Sequence, residues 1–96
     1  MIEQRLPELT SSLFSSTVFE LTFREWEVLL LISEDRENIE IASITNSKIQ
    51  TIRNMRNRIG DKLMLKGRNK LGQFARQHHQ ELHNLFPILY PSRRRS

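Results

Sequence analysis

Between Lys48 and Lys62 the chain carries Arg53, Asn54 and Asn57 in company with Thr51 and Arg58. These are side chains that read nucleic acid. An arginine can place two N–H donors on O6 and N7 of a guanine, and an asparagine amide can pair N6 and N7 of an adenine. Arg53, Asn54 and Asn57 are therefore the candidate base contacts. Lys48, Thr51, Arg58 and Lys62 suit phosphate oxygens, and Ser47 would stand at the positive end of the same helix, which also favours phosphate.

Other chemistry has less to stand on. His79 and His83 are four residues apart and would share a helical face. A zinc-protease motif requires Glu directly after the first His, but Gln80 is there and Glu81 comes one place late. No nucleophile stands with a base, and there is no cysteine. No enzymatic activity, metal or cofactor is expected.

Charge supports a polyanionic partner. Residues 47–70 hold eight lysines and arginines against Asp61 alone, whereas residues 22–46 hold six acids against Arg24 and Arg36. An acidic segment followed by a basic one points the basic segment at a polyanion. With 96 residues the chain is one domain at most. Its longest apolar run, Val28 to Ile32, is far too short for a membrane span. A cytoplasmic protein with no membrane partner is the expectation.

The elements that would position these residues are helical. Thr22 followed by Glu25 is a capping box, with Leu21 and Trp26 as its hydrophobic staple. A first helix runs from there to about Glu34. A short second helix covers about Glu37 to Ile44, with Ile41, Ala42 and Ile44 on its buried side. Thr45-Asn46-Ser47 is a break, and Ser47 or Asn46 would cap the next helix. In that third helix, about Lys48 to Leu63, the stripe Ile52, Met55, Ile59 and Leu63 recurs at spacings of three and four. The stripe anchors the helix and frees the opposite face for a major groove about 12 Å wide. From Lys48 to Lys62 the helix is about 22 Å long at about 1.5 Å per residue. Gly60 within it costs about 1 kcal/mol relative to Ala, for which close helix packing is a reason. A fourth helix is expected from Asn69 to Asn84, with Leu71, Phe74, Ala75, His78 and Leu82 on one side. Pro87 and Pro91 are expected to bar further regular helix.

A short helix, a tight break and a longer helix with a narrow apolar stripe make a helix-turn-helix. The chain resembles the LuxR-type (GerE-type) helix-turn-helix family of bacterial transcription factors. Leu21-Thr22-Phe23-Arg24-Glu25-Trp26-Glu27-Val28-Leu29 is similar to the family opening. Asn38-Ile39-Glu40-Ile41-Ala42 is similar to its second helix, and Thr51-Ile52-Arg53-Asn54 to its recognition helix. Arg58-Ile59, Lys62-Leu63 and Gly67-Arg68-Asn69 follow in order, so that the resemblance runs over about residues 21–76. Asp35-Arg36 stands where the family has Gly, Thr45 and Ser47 where it has Leu and Ile, and Met55 where it has His. Ile44 could compensate by a one-residue shift. Ile49, at a usually polar position, could be a thymine-methyl contact or a displaced core residue.

The fold class implied is an all-α, four-helix LuxR-type domain over residues 21–84. Residues 1–20 would be a lead-in, with Leu13, Phe14, Val18 and Phe19 partly docked, and residues 85–96 a flexible basic tail. The resemblance implies a transcriptional regulator that binds double-stranded DNA, with Arg53, Asn54 and Asn57 facing the bases. Thr51, Lys62 and the turn near Ser47 and Lys48 would approach phosphates. It further implies a homodimer through the fourth helix, which would place Leu71, Phe74, Ala75 and His78 at a two-fold interface. The same four residues could equally close the core. RNA polymerase is a further candidate partner, and a module like region 4 of sigma factors is the alternative reading. Twenty residues are too few for a receiver or ligand-binding domain, so a stand-alone effector or a piece of a longer regulator is expected.

Overall fold

The computed structural model describes residues 16–67 and 69–91. A 3-10 turn, Ser16–Glu20, leads into α1 (Phe23–Ser33), α2 (Asn38–Ile44), α3 (Ile49–Lys62), α4 (Lys70–Gln77) and α5 (His79–Leu89). There is no strand among the described residues. The capping box forms at the start of α1: Thr22 Oγ1 accepts the Glu25 N–H at 3.1 Å, and Glu25 Oε1 accepts the Thr22 N–H at 2.8 Å. Leu21 and Trp26 are both buried, as a staple requires. α1 is the hub of the fold and packs on each of the other four helices. Its Trp26, Val28 and Leu29 meet Ile41 of α2, Ile52 and Ile59 of α3, Ala75 of α4 and Leu82 of α5 in one core. Each fully buried large aliphatic there contributes about 1.5–3 kcal/mol.

The first three helices all end in the same way, and none of them uses glycine. Asp35, Asn46 and Met64 have φ of 65°, 56° and 61°. Behind α1, Arg36 N–H donates to the Leu31 carbonyl and Asp35 N–H to that of Ile32. Behind α2, Ser47 donates to Ala42 and Asn46 to Ser43; behind α3, Leu65 donates to Gly60 and Met64 to Asp61. Each is a Schellman closure, which satisfies helix-end carbonyls through one left-handed residue. Asp35 thus makes the first of these turns without glycine. The Gly60 carbonyl receives Leu65 at 2.8 Å, and a Cβ on Gly60 would lie 3.3 Å from the Leu65 carbonyl oxygen. The close approach at Gly60 is therefore to the returning chain.

Three expectations are corrected. Ile44 does not belong to the buried side of α2; it is 54 % exposed, and Ile41 and Ala42 alone are buried there. The single fourth helix is two helices joined at His78, which closes α4 and opens α5. Backbone bonding continues across the joint, from His78 N–H to Phe74 and from Leu82 N–H to His78, so the joint is a bend and not a loop. Pro87 does not stop the last helix, which runs to Leu89. A proline inside a helix costs about 3 kcal/mol, and here packing offsets it. The Phe86 ring lies 5.7 Å from Phe23 and 6.2 Å from Trp26, and Tyr90 lies 5.1 Å from Phe23. His83 adds a polar tie, with Nε2 2.9 Å from a Glu34 oxygen at the end of α1. Residues 85–89 therefore belong to the folded unit. Of the lead-in, Val18 is buried and Phe19 half-exposed. Leu13, Phe14 and the basic tail 92–96 lie outside the described residues.

Candidate nucleic-acid interface

The α2–turn–α3 unit presents the candidate residues. The turn is held by its own hydroxyls. Thr45 Oγ1 donates to the Ile41 carbonyl at 2.7 Å and lies 3.1 Å from Ser47 Oγ, which itself donates to the Thr45 carbonyl at 3.3 Å. Arg24 of α1 reaches the Thr45 carbonyl and Ser47 Oγ, both at 3.4 Å. Ser47 is thereby engaged within the turn and does not cap α3. The N-cap is Lys48, in extended backbone and without a side-chain cap bond. Among the described residues no N-cap side chain closes the start of α3, the condition in which a helix start accepts phosphate.

α3 is fastened by Ile52 and Ile59, both fully buried, with Met55 and Leu63 half-buried on the same stripe. Ile49 packs against the edge of this core and stays partly exposed. Arg53, Asn54 and Asn57 are all exposed, as are Lys48, Thr51 and Arg58. The structure therefore brings the three candidate base contacts together on one solvent-facing side of α3. Gln50 Nε2 donates to Asn54 Oδ1 at 3.1 Å, which orients the Asn54 amide and leaves its N–H donors and one oxygen lone pair for a base.

Lys62 stands apart from the other expected phosphate ligands. Its ammonium is 2.8 Å from Glu25 Oε1 and donates to the Glu20 carbonyl at 3.3 Å, so it is turned inward. The Glu25 side chain is only 2 % exposed. Burial pushes the Glu25 carboxyl up. The hydrogen bond from Lys62, the Thr22 N–H and the charges of Lys62 and Arg58 outweigh that and hold it below its ordinary value. Lys62 thus joins the end of α3 to the capping box of α1, and two of its three donors serve the protein itself. The expected dimer residues also divide. Leu71 and Ala75 are 8 % and 0 % exposed within the protomer's core and have no surface for a partner. Phe74 and His78 are half-buried, their rings 4.9 Å apart.

Sequence reasoning passed over Arg56. It is half-buried beside the stripe, on the row Ile52–Arg56–Gly60. Burial lowers its pKa. The available signal was its spacing: four residues after Ile52 and three before Ile59 is the buried side of a helix.

A helix-turn-helix whose second helix is anchored by an apolar stripe and shows a basic, amide-rich face to solvent defines a DNA-binding domain. The chain belongs to the luxR family of bacterial regulatory proteins: the family model of that description, GerE, matches residues 20–75, more than half of the chain. No curated protein and no solved structure gives a match. Among the described residues no helix is long and apolar enough to cross a membrane, and no group of three or more histidine or acidic side chains could hold a metal ion.

Proposed function

We propose that this domain binds double-stranded DNA sequence-specifically, with α3 in the major groove. Arg53, Asn54 and Asn57 read bases, and Lys48, Thr51, Arg58 and the Ser47 turn hold phosphates. The observation that carries the reading is the exposed face of α3. Arg53, Asn54, Asn57 and Arg58 all face solvent there, and Asp61 is the only acid on the helix. An ordinary solvated helix alternates acids and bases, whereas this face is cationic and carries amides of the kind that pair adenine. Two copies bind together and place their α3 helices in two half-sites, as a two-fold dimer does. Phe74 and His78, with the exposed side of α4, form the contact between them. The decisive experiment is affinity for duplex DNA as a function of salt, followed by selection of bound sites from random duplexes. A reader loses affinity with a log–log slope of about −0.9 per phosphate contacted, and selection returns an inverted repeat. A flat salt response would refute this function.

A further inference from the structure

Two clefts meet at Arg56 and Gly72, which line both. The first, of about 360 Å³, is lined by Arg56, Asn57, Asp61 and Lys66, with Gly60 and Gly72 also lining it. The second, of about 370 Å³, is lined by Arg56 together with Arg36, Arg76, Asp35 and Glu37. Among the described residues no hydrogen bond or ion pair to the Arg56 guanidinium is formed, although its side chain is half-buried. No buried side-chain nitrogen or oxygen lacks a partner among the described residues, so the Arg56 donors that the protein leaves free are open to solvent. A guanidinium with five donors, lining a cleft and still open to solvent, can take up an anion there.

The lining charges tell the two clefts apart. In the second, Asp35 and Glu37 face Arg36 and Arg76, and Arg76 lies 3.7 Å from Asp35, so that cleft carries its own counter-charges. In the first, Asp61 alone opposes Arg56 and Lys66. That cleft also shares Asn57 and Asp61 with the exposed face of α3, so a strand bound along this face would pass its mouth.

We infer that Arg56, with Lys66, grips a DNA backbone phosphate in the cleft between α3 and the start of α4, and so is a contact residue outside the set that the exposed face of α3 defines. This rests on the DNA-binding reading above. Phosphate oxygens suit a guanidinium that lines a cleft, because they accept its donors in a two-pronged fashion.

The test uses the full chain, with Arg56→Met, which keeps an unbranched stem without charge, and Arg56→Lys. Each is titrated with a duplex that the parent selects, at several salt concentrations, and its thermal midpoint is measured without DNA. Arg56→Met is expected to bind about tenfold more weakly at moderate salt, with a log–log slope shallower by about 0.9. It should select the same sequences and melt near the parent's midpoint, since no side-chain hydrogen bond or ion pair among the described residues is lost. Arg56→Lys should retain most of the slope. A merely structural arginine would give the opposite pattern, a lower midpoint with the slope unchanged, and that result overturns the proposal. If inorganic phosphate raises the midpoint of the parent but not of Arg56→Met, while the duplex slopes coincide, the cleft serves a free anion and the DNA contact is overturned. If the parent itself binds no duplex, the DNA-binding reading falls together with the proposal. If the parent binds and Arg56→Met matches it, Arg56 alone falls.

Discussion

The Lys62 ammonium lies 2.8 Å from the Glu25 carboxylate, which is the same oxygen that closes the capping box of α1 by accepting the Thr22 N–H. One buried oxygen thus ties the end of α3 to the start of the hub helix. Removing the ammonium leaves a buried carboxylate with a backbone N–H and only the charge of Arg58 acting on it. Breaking a fully buried pair costs about 3–5 kcal/mol, and this one is partly open on the lysine side, so Lys62→Met should cost about 2–3 kcal/mol. Urea denaturation measures it. A loss of DNA affinity without that loss of stability would show that Lys62 acts on phosphate after all.

The same pair makes stability depend on acid. The folded carboxyl of Glu25 is held below its ordinary value, mainly because Lys62 and the Thr22 N–H outweigh its burial. A group lowered on folding stabilises the protein above its unfolded pKa, and that contribution is lost as pH falls through the folded value. The contribution should be fully present at neutral pH and fade from about pH 4.5 downward. Glu25→Gln has no such proton to gain. The stability difference between parent and variant, followed by denaturation from neutral pH to about pH 3, should therefore shrink as the acid range is entered. A difference that stays constant would argue against a lowered carboxyl.

Met64 closes α3 at a φ of 61°, where a side chain is strained and glycine is not. Met64 is also 75 % exposed, so that little packing is lost by trimming it. Met64→Gly should stabilise the domain by about 0.5–1 kcal/mol once the added freedom of the unfolded chain is deducted. Met64→Ala keeps the strain and should gain nothing. Thermal midpoints of the two variants decide the matter.

Phe86 binds the last helix to α1 through Phe23 and Trp26. If α5 is part of the domain, Phe86→Ala should cost about 2 kcal/mol, less than the 3–5 of a fully buried phenylalanine because the ring is only partly covered. Equilibrium denaturation should show one transition moved to lower denaturant. An unchanged transition would mean that the helix beyond Asn84 adds nothing to the fold.

Arg53→Ala and Asn54→Ala should each weaken binding to the selected site by about 1–3 kcal/mol and relax the choice at one base pair. Both side chains are exposed and away from the core, so the melting temperature should hold. Competition titrations against single-base variants of the site check this. Variants that keep the parent's preference would remove these residues from the base-reading set.

The local signals of this chain were legible because they act within a few residues. A capping box spans three positions, a helical stripe repeats at three and four, and a turn is made by neighbours. Those rules placed α1 to α3, the break at Thr45–Ser47 and the shared face of Arg53, Asn54 and Asn57. The same rules missed wherever a distant partner decided the outcome. Lys62 reads as one more cation on a basic helix, yet its carboxylate lies 37 residues earlier in the chain. Pro87 reads as a helix stop, yet aromatic packing on Phe23 and Trp26 carries the helix past it. Leu71 and Ala75 suit a core as well as an interface, and only the packing of α4 on α1 placed them inside. Arg56 carries the right spacing to be half-buried, but only the packed helices show the two clefts that it lines. Short-range order follows from steric and hydrogen-bonding preferences of adjacent residues. The division between inward and outward cations depends on which charges meet across helices, and sequence spacing does not encode that.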